Sequence, residues 1–135
     1  MKPPYFGGCQ CGQVRYKLTA EPIRLIACHC KQCQLQSGSA FGMSMHVKMD
    51  TLEVRGRLKS FDRIADSGNK NTGYFCPQCG NRIYNVPQAL KGILVLKPGT
   101  LDDTKWLKPN AMIWLKSAQE WVPIPPYMKT TDGQV

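Results

Sequence analysis

Residues 74–84 read YFCPQCGNRIY. Cys76 and Cys79 stand two residues apart, Gly80 follows, and β-prone residues lie on both sides. A C-x-x-C turn between two strands presents two sulfurs on one side of a tight bend, and the glycine after it permits positive φ. That is half of a tetrahedral thiolate site. The other half stands at residues 7–12, GGCQCG, where Cys9 and Cys11 precede Gly12. Two such turns clamping one ion make the usual closed structural zinc, with Cys9, Cys11, Cys76 and Cys79 as ligands. The pairs are far apart in the chain, so the ion ties the N-terminal segment to the middle and adds folding free energy.

Working outward, the hydrophobic pattern predicts an all-β domain of short strands. VRYKL (residues 14–18) alternates Val14, Tyr16 and Leu18 against Arg15 and Lys17. RLIACHC (24–30) reads as a strand running into more cysteines, and SAFGMSMHV (39–47) alternates Phe41, Met43 and Met45. LEVRGRLKSF (52–61) breaks at Gly56, which suggests a hairpin or bulge. GYFC and NRIYNV flank the cysteine turn, and GILVLKPGTL (92–101) is a buried strand. AMIWLKS (111–117) and EWVPIP (120–125) close the fold with a turn at Ala118–Gln119. Only KQCQLQS (31–37), ended by Gly38 as a C-cap, reads as helix. Pro123, Pro125 and Pro126 forbid a regular central strand, so the tail from about 125 is expected to be loosely ordered.

Cys28, Cys30 and Cys33 form a second set, C-x-C-x-x-C. In an extended stretch alternate residues face the same way, which groups Cys28 with Cys30 and sends His29 to the opposite face. Cys33 follows in a helical turn, three residues on, and returns its sulfur to the same side. Three thiolates with no evident fourth protein ligand match an open, catalytic type of zinc site. The competing readings are a single cluster shared by all seven cysteines, or redox-active thiols. His29 reads as a hydrogen-bonding or packing residue and His46 as structural.

Composition sets the outer limits. The chain has 135 residues, 42% of them hydrophobic and 20% charged, which suits one domain of ordinary size. No apolar run approaches the ~18 residues of a membrane span, and MKPPYFGGC lacks the apolar stretch of a secretory signal. Seven cysteines cannot all pair, so metal binding in a reducing compartment is the better reading, and a cytoplasmic location is expected. The formal net charge is +9, and thiolates on zinc reduce it without reversing its sign. A basic surface favours an anionic partner.

The blocks GGCQCGQVRY, CHCKQCQLQSGSAFG, DSGNKNTGYFCPQCGNRIY and AMIWLKSAQEWV together resemble the glutathione-dependent formaldehyde-activating enzyme family, the GFA/CENP-V domain, from about Gly7 to Val122. The resemblance implies an Mss4-like fold of twisted β-sheets. It maps Cys9, Cys11, Cys76 and Cys79 onto the structural zinc ligands, and Cys28, Cys30 and Cys33 onto the second, catalytic-type zinc, up to two zinc ions per chain. It implies a carbon–sulfur lyase activity that joins formaldehyde to glutathione, giving S-hydroxymethylglutathione, so the partners would be a small-molecule thiol and an aldehyde. Two positions depart from the family pattern: Met112 and Asn85 stand where many members have histidine.

In that chemistry a thiol at the fourth position of the three-cysteine site would be deprotonated at neutral pH and held beside the aldehyde. Candidate contacts for the anionic thiol are Lys31, Gln32, Ser37, Ser39 and Lys70 in the DSGNKNTG loop. The alternatives are a non-catalytic, zinc-stabilised module that binds an anionic partner, and a thiol redox or metal-handling protein. Nucleic acid is the weaker choice of partner, because the basic residues are scattered and do not interleave with aromatics in a stacking platform.

Overall fold

Register across the sheets divides the side chains of this molecule into an inner and an outer set. The computed structural model describes residues 1–134. β1 (Tyr5–Gly8), β2 (Arg15–Leu18) and β5 (Leu52–Arg55) form a small antiparallel sheet in the order β1-β2-β5. The larger sheet contains β3 (Arg24–Cys28), β4 (Gly42–Lys48), β6 (Lys59–Ile64), β7 (Lys70–Phe75), β8 (Arg82–Pro87), β9 (Ile93–Leu96), β10 (Ala111–Ile113) and β11 (Lys129–Thr130). Its order is β11-β10-β3-β4-β9-β8-β7-β6. The one α-helix among the described residues, α1 (Lys31–Ser37), follows β3. No helix there is long and apolar enough to cross a membrane.

The core lies between the sheets. Tyr5, Val14, Tyr16 and Leu18 from the small sheet pack in one buried cluster with Leu25, Met45, Leu94 and Leu96 from the large one. Period-two alternation then sends their neighbours to the other face. Leu25 points into this core, while Ile26 and Cys28 belong to a separate cluster with Ile113, against which Cys30, Cys33 and Trp114 pack. Cross-strand pairs share a face, so Gly42 joins Cys28, Ser44 joins Ile26, and Asn85 joins Val95 and Gly73 on this outer side. Lys97, one residue beyond the Met45–Leu96 pair, falls there as well.

A bulge changes the parity of β8. Tyr74 pairs with Tyr84 but Phe75 pairs with Arg82, so Ile83 is the extra residue. Bulges of this kind re-aim side chains. Here the bulge lets Tyr84 and Val86 pack on the core while Arg82 bonds to Asn85 three residues on.

Four expectations need correcting. The strand of residues 24–30 ends at Cys28, because Cys30 is the N-cap of α1 and its sulfur accepts the N–H of Cys33 at 3.4 Å. Gly56 (φ 105°) does not make a hairpin. It carries the chain from β5 in the small sheet to β6 in the large one, passing so close to Gln13 that a Cβ would stand 2.2 Å from its carbonyl oxygen. No strand forms over 120–125: β10 stops at Ile113, Trp114 takes φ 61°, and a short 3-10 turn covers Leu115–Ser117. The tail beyond 125 returns as β11, parallel to β10, with the Thr131 N–H on the Met112 carbonyl at 3.1 Å. The prolines precede that strand and leave its N–H groups free to bond.

Candidate metal centres

The sulfurs of Cys9, Cys11, Cys76 and Cys79 lie within 4.8 Å of one another. Cys9 and Cys11 are 3.6 Å apart, and Cys11 and Cys76 are 3.7 Å apart. Four sulfurs about 2.3 Å from a tetrahedral zinc sit about 3.8 Å from each other, so the spacing fits the ion. The two turns are built alike. Gly12 (φ 83°) and Gly80 (φ 79°) reverse the chain after each pair, and their N–H groups close the turns on the carbonyls of Cys9 and Cys76. The N–H groups aimed at sulfur come from elsewhere: Val14 reaches Cys9 at 3.2 Å and Gln78 reaches Cys76 at 3.4 Å. Asn81 staples the turns together by accepting the Gln10 N–H at 2.9 Å.

Gln13 adds an outer support. Its amide bonds both backbone groups of Arg57, accepting the N–H at 2.8 Å and donating to the carbonyl at 2.7 Å. The same Nε2 donates to Cys76 Sγ at 3.2 Å. Burial raises the Cys76 thiol, but the hydrogen bonds from Gln13 and from the backbone of Cys79 and Gln78 outweigh it and hold the group down at about 6. A thiolate is thus favoured before any cation contributes.

Cys28, Cys30 and Cys33 also converge, with all three sulfurs within 4.8 Å. Each comes from a different local structure: the end of β3, the cap, and the first turn of α1. Hydrogen bonds with Cys28 and Cys33 hold Cys30 down at about 2, and the Cys28 thiol is pushed up by the same contacts. One thiolate therefore forms readily and resists the next, which is the behaviour of a donor set that a divalent cation would complete. Gly42 lies across from Cys33, and a Cβ there would come within 3.1 Å of the Cys33 Cβ.

His29 points away from the sulfurs, as alternation predicts. It is fully buried, its ring lies 5.0 Å from that of Phe41, and neither ring nitrogen has a protein partner, so it packs rather than ligates. His46 pairs with Arg24 in the sheet and belongs to neither cysteine group. The helix is set by Gln34, whose Nε2 donates to the carbonyls of His29 (2.9 Å) and Ser117 (3.0 Å), and by Gly38 in the left-handed region.

A cavity of about 570 Å³ opens beside Cys9 and reaches Gly42, the neighbour of Cys33. It runs from Cys9 and Gly80 to Gly42 and the end of α1, and Arg82 and Lys97 supply its charge. No acidic residue lines it. Burial lowers the pKa of Lys97 and Arg82 lowers it further, while the charge at Cys33 works in the opposite direction. Of the expected substrate contacts, only Ser37 borders this space, and its hydroxyl donates to the Cys33 carbonyl at 2.8 Å. Gln32 faces a smaller pocket under α1. Lys31 and Ser39 line a separate groove with Trp121, and Lys70 lies 3.8 Å from Asp62 on the β6–β7 hairpin.

Arg82 and Lys97 were not singled out in the sequence. Their signal is faint: one cation directly after a cysteine turn, and one at the end of the apolar run ILVL. The two departures from the family pattern are absorbed differently. Met112 is buried in β10 opposite Ala27. Asn85 is buried too, and it links Arg82 (2.8 Å) to Gln36 of α1 (3.1 Å).

The family profile described as "Glutathione-dependent formaldehyde-activating enzyme" matches residues 4–117. A crystal structure of a Rhodobacter sphaeroides protein is similar with a TM-score of 0.60 and 18% identity, covering 75% of this chain and 91% of that one. At that identity the likeness speaks for the fold. No curated protein matches the chain.

Proposed function

The chain belongs to the glutathione-dependent formaldehyde-activating enzyme family, and from that premise we propose that it is a zinc-dependent, carbon–sulfur lyase-type enzyme joining glutathione to formaldehyde or a similar small aldehyde. On this reading residues 1–135 form one GFA/CENP-V-type domain, and its seven free thiols suit the cytoplasm. Cys9, Cys11, Cys76 and Cys79 would hold a structural zinc. Cys28, Cys30 and Cys33 would hold a second. The observation that carries the proposal is the convergence of three sulfurs, with no fourth ligand among the described residues, close to a cavity lined by cations and no acids.

A zinc ion at three thiolates supplies an open position that favours the ionised form of an incoming thiol. The chain's own residues do the rest. Arg82 and Lys97 attract the anionic thiol and hold it beside the cluster. Positioning then converts a slow encounter of thiol and aldehyde into a local one. The thiolate sulfur forms a bond to the carbonyl carbon, the π pair moves to the oxygen, and that oxygen takes a proton from solvent. The product is the hemithioacetal, with no oxidant or reductant required.

The test follows carbon-13 formaldehyde mixed with glutathione by exchange NMR, with and without the zinc-loaded protein. Faster formation of S-hydroxymethylglutathione, lost in Cys30→Ser, is expected. An unchanged rate at full zinc loading refutes the proposal.

A further inference from the structure

Under α1 the outer face of the large sheet holds a second, smaller cavity of about 40 Å³. Register builds its floor: Phe61 pairs with Gly73, Gly73 with Asn85, and Arg63 with Asn71. Gln32 and Gln36 form the helical side. The space suits one small polar group rather than a peptide, since a single water needs at least about 10–15 Å³ on the same measure.

The chemistry of the walls is one-sided. No acidic residue lines the pocket. Arg63 Nε and Asn71 Oδ1 are both buried and neither finds a protein partner. Orphaned buried groups are rare and unfavourable; a carboxylate answers the donor Arg63 Nε, whereas the acceptor Asn71 Oδ1 needs a donor of its own. Arg82 is locked beside them. A Cβ at Gly73 would stand 2.2 Å from its Nη1, so the guanidinium lies where only glycine leaves room. Its Nη1 also donates to Asn85 Oδ1 at 2.8 Å. Neither arginine is in an ion pair; those among the described residues are Arg15–Asp102 and Lys70–Asp62. Arg82 and Gln36 line the larger cavity as well, which joins the two spaces.

We propose that this pocket is a carboxylate subsite, in which Arg63 and Arg82 bind a terminal carboxylate of the thiol substrate and so select acidic thiols over neutral ones. The assignment rests on the thiol–aldehyde reading for the identity of the ligand. Guanidinium groups match a carboxylate in geometry as well as charge, and a desolvated site strengthens the contact. Gln32 and Gln36 flank Cys33 on the same helix, so the subsite begins within one turn of the three-cysteine cluster.

The test uses zinc-loaded, nitrogen-15-labelled full-length protein, titrated with glutathione and with glutathione diethyl ester. Binding is read at the Asn85 side-chain amide resonance, which lines the same pocket and survives in every variant below. Glutathione should shift that resonance saturably, and the ester should bind at least about tenfold more weakly. Arg63→Gln should erase the preference. Gly73→Ala, which displaces Arg82, should reduce it. Arg63→Lys should keep part of it, which separates loss of the subsite from loss of the fold. Equal affinity for acid and ester, or an unchanged preference in Arg63→Gln, overturns the subsite. Turnover is scored separately: preference without hemithioacetal formation supports the subsite and refutes the enzymatic reading, whereas turnover without preference does the reverse.

Discussion

The two cysteine groups use the same ligand atom and differ in how the chain delivers it. Cys9 and Cys11 meet Cys76 and Cys79 across more than sixty residues, so that site exists only when distant turns have come together. Cys28, Cys30 and Cys33 arrive within six residues, from a strand end, a cap and a helical turn. A site assembled from remote segments closes a long loop, and the free energy of metal binding there is folding free energy. A site assembled locally can be altered with less effect on the whole. The same thiolate chemistry would thus serve, on the proposed reading, as a staple in one place and leave room for a reactant in the other.

The sharpest way to break this comparison is to remove one ligand from each site. Cys76 is fully buried, and Cys76→Ser should abolish cooperative unfolding measured by circular dichroism. Structural zinc contributes on the order of 10 kcal/mol in small domains, comparable to a whole domain's stability. Cys33→Ser should retain a cooperative transition and lose one zinc equivalent. Equal unfolding in both variants would remove the distinction between staple and open site.

Chelation offers a second, smaller contrast. Zinc release followed by an indicator should occur in two phases, the first belonging to the three-cysteine site and absent from Cys33→Ser. A single phase in the unaltered protein would contradict two unequal sites.

The outer support of the closed site can be weakened without touching a ligand. Gln13→Ala removes the donor to Cys76 and both bonds to the Arg57 backbone. We expect metal affinity at that site to fall by about 10–100-fold, with about 1–3 kcal/mol lost in stability. A competitive zinc titration checks the first and a urea melt the second, and unchanged values in both would show that the contact to Cys76 is incidental.

The smallest expected effect lies away from both sites. Burial, and then the charge of Arg24, holds His46 down at about 4 against its ordinary 6.5. As pH falls through 6.5 the unfolded chain takes up the proton while the folded one resists until about 4, so stability declines across that window. His46→Gln should flatten the slope of the melting temperature between pH 6.5 and 4. An unaltered slope would assign the acid sensitivity to the cysteine groups.

Much of this was legible in residue spacing, and the reason is local geometry. C-x-C-G and C-x-x-C-G describe turns whose shape depends on a few adjacent residues and one glycine. Period two in β2 is likewise a local property, so the inward faces of Tyr16 and Leu18 are legible directly. The failures fall where a segment had a choice of partner. LEVRGRLKSF reads as a hairpin or bulge, yet its halves pair with strands of different sheets. The proline-containing tail looked unattached, yet β10 presented an edge for it.

The sequence by itself determined the candidate ligands: seven cysteines in three runs, and a chain of short strands to carry them. Tertiary structure alone decided what surrounds them. Arg63, Arg82, Asn85 and Lys97 come from three different strands or their ends, and no spacing relates them. They share one face because register across β6 to β9 and a single bulge at Ile83 place them there. Within each run the cysteines cluster through short-range chain geometry. A charged cavity is the product of long-range pairing, which follows the free energy of the whole sheet.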